Sequence, residues 1–184
     1  MTLLILGVFL WIVAHLAKRI APARRAKIGD QGKWILAIVI VVSVVLMVWG
    51  YSMADIAMLY SPLNGMGHLN NTLMLIAIYL FGVSGTKGVL FTRIRHPMLW
   101  GTAIWAVAHL AVNGDLASVI LFGSMGGWAL FSMKLINRSG PWVRPTTGRG
   151  LKGDLMNIAG TAVLYGLFAA AHIITGHNVF LGSY

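Results

Sequence analysis

The chain has no cysteine among its 184 residues, and its only acidic residues are four aspartates. Without cysteine, a disulfide framework, an iron–sulfur cluster and a cysteine nucleophile are excluded. Without glutamate, and with every aspartate in a predicted loop or at a helix edge, a paired-carboxylate acid–base site inside the protein is not expected. Charged residues make up only 10% of the sequence, against about 25% in a soluble domain. This composition is typical of a protein that lies in lipid.

Long apolar runs take the place of the missing charge. Hydrophobic residues are 58% of the chain, and the mean hydropathy is +0.81. A helix that crosses the bilayer core needs about 20 apolar residues, and six stretches qualify or come close: residues 2–17, 34–54, 68–85, 97–112, 116–135 and 155–175. We therefore predict an all-α, polytopic transmembrane bundle of about six helices, formed by a single domain over residues 1–184. Nothing basic precedes the first run, which predicts a retained helix rather than a signal peptide.

The basic residues are confined to three gaps, which follow the first, third and fifth apolar runs. In chain order they are Lys18, Arg19, Arg24, Arg25, Lys27 and Lys33, then Lys87, Arg93 and Arg95, then Lys134, Arg138, Arg144, Arg149 and Lys152. Because loops rich in lysine and arginine stay in the cytoplasm, both termini are predicted to lie on the outer, periplasmic side. The chain is then a multi-pass protein of the bacterial inner membrane, with the lipid bilayer as its partner. The net charge of +10 does not indicate nucleic acid, because the basic residues lie only in these short gaps.

A turn of three residues, Asn113, Gly114 and Asp115, separates the fourth and fifth runs. So short a connection predicts that these two helices are adjacent and antiparallel. Asp115 is placed to accept hydrogen bonds from the first amides of the fifth helix as its N-cap. On that helix Gly123 and Gly127 have the spacing of small residues that lets helices approach closely.

Histidine is the ionisable residue that recurs in or beside the apolar runs, as His15, His68, His96, His109 and His172. Such groups are costly inside a membrane and usually face the interior of the bundle. His109 lies about three turns into the fourth helix, with Asn113 four residues later on the same face. A structural interpretation is a neutral imidazole bonded to a helix carbonyl or to Asn113. A functional interpretation is a metal or haem ligand, since neutral imidazole is a usual axial ligand of haem iron, or a proton-transfer group.

The fourth helix is preceded by a basic turn that ends in Arg95 and His96, and Pro97 stands at its first position. Proline is common there because its missing amide proton would have no partner in any case. His96 is then a residue at the cap position and Arg95 an ordinary charge of the inner side. Alternatively, Arg95 and His96 bind an anionic group, such as a phosphate or a propionate, at the helix N-terminus.

The run Arg-His-Pro-Met-Leu-Trp-Gly at residues 95–101, with Ala-His-Leu at 108–110 and Asn-Gly-Asp at 113–115, resembles the NnrU family of bacterial integral membrane proteins. The resemblance extends over nearly the whole chain and implies a role in denitrification, in nitric oxide or nitrite handling. The family is related to the haem-containing 15-cis-zeta-carotene isomerase, which implies haem b held by His15 and His109 as metal ligands. The isomerase has a cysteine one turn before the second histidine, where this chain has Ala106, so its ligand switch is not carried over.

Three functions remain open at this stage. The first is a haem-binding oxidoreductase or isomerase-like protein with an apolar small-molecule substrate, in which Arg19, Arg93 and Arg95 meet the haem propionates. Depth estimates at about 1.5 Å per residue put His15 and His109 several Å apart along the membrane normal, and His68 or His172 is then the alternative partner of His109. The second is a non-enzymatic accessory or assembly factor for a membrane respiratory complex. The third is a methyltransferase that uses S-adenosylmethionine, whose Arg-His-Pro motif is similar, although those enzymes also need a later glutamate.

Overall fold

The computed structural model describes residues 1–20, 29 and 31–180, and these form six helices and no β-strand. The helices are α1 (Thr2–Ile20), α2 (Gln31–Ser52), α3 (Met66–Thr86), α4 (Pro97–Val112), α5 (Leu116–Arg138) and α6 (Gly150–Ile174). The predicted all-α bundle of six helices is confirmed. Three of the predicted inner charges, Arg24, Arg25 and Lys27, lie outside the described residues, as does Asp30.

Four of the helices, α2, α3, α5 and α6, are long and apolar enough to cross a membrane. The apolar part of α1 (Thr2–Ala17) and the whole of α4 are shorter, as the sequence predicts. Large apolar side chains cover the outer faces of the helices; Phe9, for example, is 59% exposed and Leu167 is 61% exposed. Extended apolar surface of this kind marks a face that meets lipid or another protein. With four helices long and apolar enough to cross a membrane, the chain is a multi-pass membrane protein.

The helices pack as a row of neighbours, with α1 between α2 and α5, α4 between α5 and α3, and α6 against the far side of α3. The principal core forms where α1, α2 and α5 meet, around Leu4, Val8, Met47 and Met125. The predicted adjacency of α4 and α5 is confirmed. Since α2 and α6 are at the two ends of the row, most of their surface faces outward.

Glycines allow the closest helix contacts. A Cβ atom on Gly7 of α1 would lie 2.8 Å from the backbone of α2, and one on Gly50 of α2 would overlap the backbone of Leu4. Gly153 has the same role between α6 and the end of α3, where a Cβ atom would lie 2.6 Å from the Thr86 carbonyl oxygen. The close contact predicted at Gly123 and Gly127 is wrong, because nothing lies within 4 Å of a Cβ atom at either position.

Connections of different charge gather at opposite ends of the bundle. At one end, the loop after α5 binds the loop after α3: the Arg149 amide donates to the Lys87 carbonyl at 2.6 Å, and the Arg144 guanidinium donates to the Thr92 carbonyl at 2.6 Å. At the other end, the segment between α2 and α3 lies against the turn between α4 and α5, where the Leu59 amide donates to the Gly114 carbonyl at 2.8 Å. Two of the three basic gaps therefore lie together, away from the turns that contain no lysine or arginine, as a positive-inside arrangement requires.

Replacing Gly50 by alanine tests the α1–α2 contact. The added methyl group has to push α1 and α2 apart, and overpacking of this kind costs about 1–3 kcal/mol. We expect a lower thermal unfolding midpoint for the purified protein at fixed detergent concentration. Gly166→Ala on α6 is the matched control, since its Cβ atom meets nothing within 4 Å; equal midpoints for the two variants would show that α1 and α2 do not pack as described.

Candidate functional site

His109 lies on α4 with one ring nitrogen already bonded within its own helix. Nδ1 lies 2.9 Å from the carbonyl oxygen of Trp105, one turn earlier. A carbonyl oxygen can only accept, so Nδ1 carries the proton and donates, and Nε2 is left with a free lone pair. Nε2 is then the atom that a metal ion or a proton donor would meet. The predicted alternative of a ring bonded to a helix carbonyl is thus correct for Nδ1 and leaves Nε2 for function.

His172 of α6 is the histidine nearest to His109 among the described ring contacts. The centroids of the two imidazole rings are 6.5 Å apart. His172 repeats the arrangement of His109, because its Nδ1 donates to the Phe168 carbonyl at 2.7 Å and leaves Nε2 free. The two rings come from helices that are not neighbours in the row, since α3 packs between them. In the sequence, His172 has less weight than His109 because it lies near the end of an apolar run, although it is an alternative partner of His109.

Aromatic rings hold the His109 imidazole. Phe122 stacks on it with a centroid distance of 4.5 Å and an interplanar angle of 26°. Trp105 lies 5.1 Å from His109 and packs edge-on against Phe122 at 4.9 Å. These contacts fix the ring and keep water from one of its faces. Phe122 could not be identified as a site residue from the sequence, because its contact with His109 depends on the geometry of α5.

A local departure from α-helical geometry positions Phe122. The chain enters α5 at Asp115, whose carboxylate accepts from the Ser118 amide at 2.9 Å and from the Ser118 hydroxyl at 2.5 Å. The predicted N-cap is confirmed. The next residues, Val119–Gly123, form a π-helical turn. Such turns are rare and rotate the following side chains relative to an α-helix, often at functional sites. Phe122 lies in this turn.

His15 of α1 is in a second aromatic environment. Its Nδ1 lies 2.9 Å from the Trp11 carbonyl oxygen, so that nitrogen donates and Nε2 is again free. The Trp11 ring stacks on His15 at 4.1 Å, and Trp128 of α5 packs against it at 5.0 Å. The indole N–H groups of Trp11 and Trp128 are buried and donate to no acceptor among the described residues. A buried donor without a partner costs about 1–3 kcal/mol, and here two of them lie beside one imidazole.

The described ring contacts do not bring His15 and His109 together. His15 packs on Trp128 and His109 packs on Phe122, six residues earlier on the same helix, which is about 9 Å at 1.5 Å per residue. This separation has the size that the depth estimates indicate. His68 is exposed near the start of α3 and shares none of these contacts. Nor do the described residues include a group of three or more histidine and carboxylate side chains that could hold a metal ion.

The other predicted site residues connect helix ends. Arg95 donates to the carbonyl oxygens of Ile136 at 3.2 Å and Gly140 at 2.8 Å, and His96 Nε2 lies 2.9 Å from the Asn137 amide oxygen. Both therefore attach the start of α4 to the end of α5. His96 occupies the N-cap position of α4 without capping it through its side chain.

Asn113 closes the opposite end of α4. Its side-chain amide donates to the His109 carbonyl oxygen at 3.0 Å, not to the imidazole ring. The Tyr60 hydroxyl donates to the Leu110 carbonyl and, at 2.9 Å, to the Asn113 carbonyl. Burial, followed by the negative charge of Asp115, raises the pKa of Tyr60 above its usual value, so the hydroxyl keeps its proton and this clasp at neutral pH.

The family model described as NnrU protein matches residues 3–179 of the chain. No curated protein and no solved structure matches the chain.

Replacing Asp115 by alanine tests the link between the N-cap of α5 and the His109 site. It removes the acceptor of two hydrogen bonds from Ser118, and the loss of an N-cap costs about 0.5–2 kcal/mol. We expect a lower unfolding midpoint and a changed near-UV circular dichroism signal, because Phe122 and Trp105 lose their fixed packing. Asp115→Asn should recover most of the stability, since asparagine caps nearly as well. Asp55→Ala, at an exposed position between α2 and α3, is the control; an Asp115→Ala protein indistinguishable from it would rule out this role of the cap.

Proposed function

Because the chain belongs to the NnrU family over nearly its whole length, we propose that it binds haem b through histidines of the bundle. In this proposal it acts in redox or isomerase-type chemistry, or in the nitrogen-oxide metabolism of denitrification. It lies in the bacterial inner membrane, with the basic end of the bundle in the cytoplasm and both termini outside. Six crossings of the membrane would put both termini on one side, and the basic connections at the other end of the bundle support a cytoplasmic position for that end.

The observation that carries the proposal is the pair formed by His109 and His172. Two imidazoles that held one metal ion through their Nε2 atoms would have ring centroids about 6 Å apart, given metal–nitrogen bonds of about 2 Å. The observed separation is 6.5 Å. In both residues Nδ1 donates to a backbone carbonyl, and a hydrogen bond of this kind fixes the tautomer of a metal-binding histidine. In this proposal His109 and His172 would be the residues that hold the haem iron, each through its Nε2 atom.

His15 is the second ligand that the family resemblance implies, and the geometry favours His172 over it. His15 has a free Nε2, but its ring contacts are with Trp11 and Trp128 rather than with His109. The residue of α5 that His15 contacts, Trp128, lies about 9 Å along that helix from Phe122, the residue that His109 contacts. This separation suits a separate role for His15. The two indole N–H groups beside it are donors for an acceptor atom of a polar ligand or of a substrate. We assign His15 to that role and His109 to the metal.

Haem b would supply a reversible one-electron couple inside the membrane. The residues of the chain prepare its surroundings: Trp105 and Phe122 exclude water from the His109 ring, and the Trp105 and Phe168 carbonyls hold the two protons on Nδ1. A hydrogen-bonded Nδ1–H also makes Nε2 a stronger donor to a metal ion. These are positioning and electrostatic functions, and they do not depend on the substrate.

Absorption spectra of the purified protein test the proposal. Wild-type protein from cells supplied with haem should show a Soret band and, after dithionite reduction, sharp α and β bands of six-coordinate haem. His109→Ala should lose at least nine-tenths of this absorbance. His172→Ala should keep haem but change to a five-coordinate spectrum, because one axial bond is lost. His15→Ala should leave the spectrum unchanged.

His68→Ala is the matched control, since this histidine is exposed and lies on a neighbouring helix. A five-coordinate spectrum for His15→Ala with an unchanged His172→Ala would instead support the pair implied by the resemblance. Full haem occupancy in His109→Ala would contradict both ligand pairs, His109 with His172 and His15 with His109. A wild-type protein that remains colourless after purification with added haem would favour the non-enzymatic accessory factor, which works through helix packing.

A further inference from the structure

A basic cleft lies at the end of the bundle where α4 begins and α5 ends. Its volume is about 610 Å³, and its polar walls are Arg95, His96, Lys134, Asn137 and Arg138. Three of these side chains are cationic, and no carboxylate lines the cleft. Arg95 is held in place by the Ile136 and Gly140 carbonyls, whereas Lys134 and Arg138 are exposed. The cleft therefore presents positive charge that no acidic group of its walls compensates.

An apolar groove of about 390 Å³ runs between α4 and α5. Small residues form much of its walls, namely Ala103, Ala106, Gly123, Gly126 and Gly127. This is where Gly123 and Gly127, which make no close helix contact, are exposed. Their missing side chains leave a channel on a surface that faces lipid.

The cleft and the groove are continuous. Trp100 and Leu130 line both of them. Together they extend along α5 from Arg138 to Phe122, which at 1.5 Å per residue is about 24 Å. One leaflet with its headgroup layer is about 20–22 Å thick, half of a bilayer of about 40–45 Å. The charged end lies at the level of the headgroups and the apolar end reaches towards the middle of the membrane.

We propose that this track, independently of the haem proposal, binds one anionic phospholipid, with its phosphate in the basic cleft and an acyl chain in the groove. Basic pockets between transmembrane helices on the cytoplasmic side suit such headgroups. The N-terminus of α4, which no side chain caps, opens at the same end and adds a favourable dipole for a phosphate. A helix of another protein would fill the apolar groove but would leave the cationic cleft uncompensated, so charge complementarity selects the lipid.

Native mass spectrometry of the full chain in detergent tests this with dioleoyl phosphatidylglycerol and dioleoyl phosphatidylcholine, which have the same acyl chains. We expect at least tenfold tighter binding of the anionic lipid. The double variant Lys134→Gln/Arg138→Gln should weaken that binding roughly tenfold. Arg93→Gln/Lys152→Gln removes the same charge from the same end of the bundle, outside the cleft, and should bind as the wild type does. Equal binding of the two lipids, or an equal loss in both double variants, would overturn the proposal.

Gly127→Leu tests the apolar half, because its side chain fills the groove at a position with open space. It should weaken dioleoyl phosphatidylglycerol several-fold and leave dihexanoyl phosphatidylglycerol unchanged. Inorganic phosphate is the remaining probe. If it displaces the long-chain lipid at the concentration at which the short-chain lipid does, the cleft is a phosphate site alone and the lipid assignment is wrong.

Discussion

In hydrocarbon every polar group has to find its hydrogen bond inside the protein, because lipid offers none. The backbone meets this demand by forming helices, and the polar side chains of the bundle meet it by bonding back to helix carbonyls. Ser43 donates to the Ile40 carbonyl at 2.6 Å, and the buried Asn157 of α6 donates across to the Tyr79 carbonyl of α3 at 2.9 Å. His15, His109 and His172 meet the same constraint through Nδ1, which donates to a helix carbonyl in each case. Since an imidazole has a second nitrogen, a hydrogen bond at Nδ1 leaves a lone pair on Nε2 inside the membrane, and this is the atom that the proposed function uses.

The sequence predicts the helices well because their formation is a local property. Apolar length, Pro97 at the start of α4 and Asp115 before α5 are sufficient to place these helix ends within a few residues. Pairing between helices is not local. Whether His109 meets His15 or His172 depends on the rotation of each helix, which small packing residues such as Gly50 and Gly153 determine. The spacing of glycines alone does not show which of them lie in a helix–helix contact. The contact predicted at Gly123 and Gly127 was wrong for this reason.

The aromatic residues around His15 and His109 could not be identified as site residues from the sequence either. In a membrane protein, tryptophan and phenylalanine are expected throughout, and nothing in the sequence separates Phe122 from other apolar residues of α5. What distinguishes Phe122 is the π-helical turn at Val119–Gly123, and an extra backbone residue in a turn has no simple sequence signal. Trp11 and Trp128 are distinguished by buried N–H groups with no acceptor among the described residues. Such groups are recognisable only once burial is known, because an exposed indole would pay no desolvation cost.

Phe122 connects the surroundings of His109 with the apolar groove between α4 and α5. One contact of its ring is with the His109 imidazole at 4.5 Å, and the residue also lines the apolar groove. Ala106 lines that groove as well. A larger side chain at residue 106 would narrow the groove, whereas alanine leaves it open beside the ring that fixes His109. Because packed interiors transmit strain, an occupant of the groove that touches Phe122 is expected to affect the orientation of the His109 ring, on which Phe122 stacks.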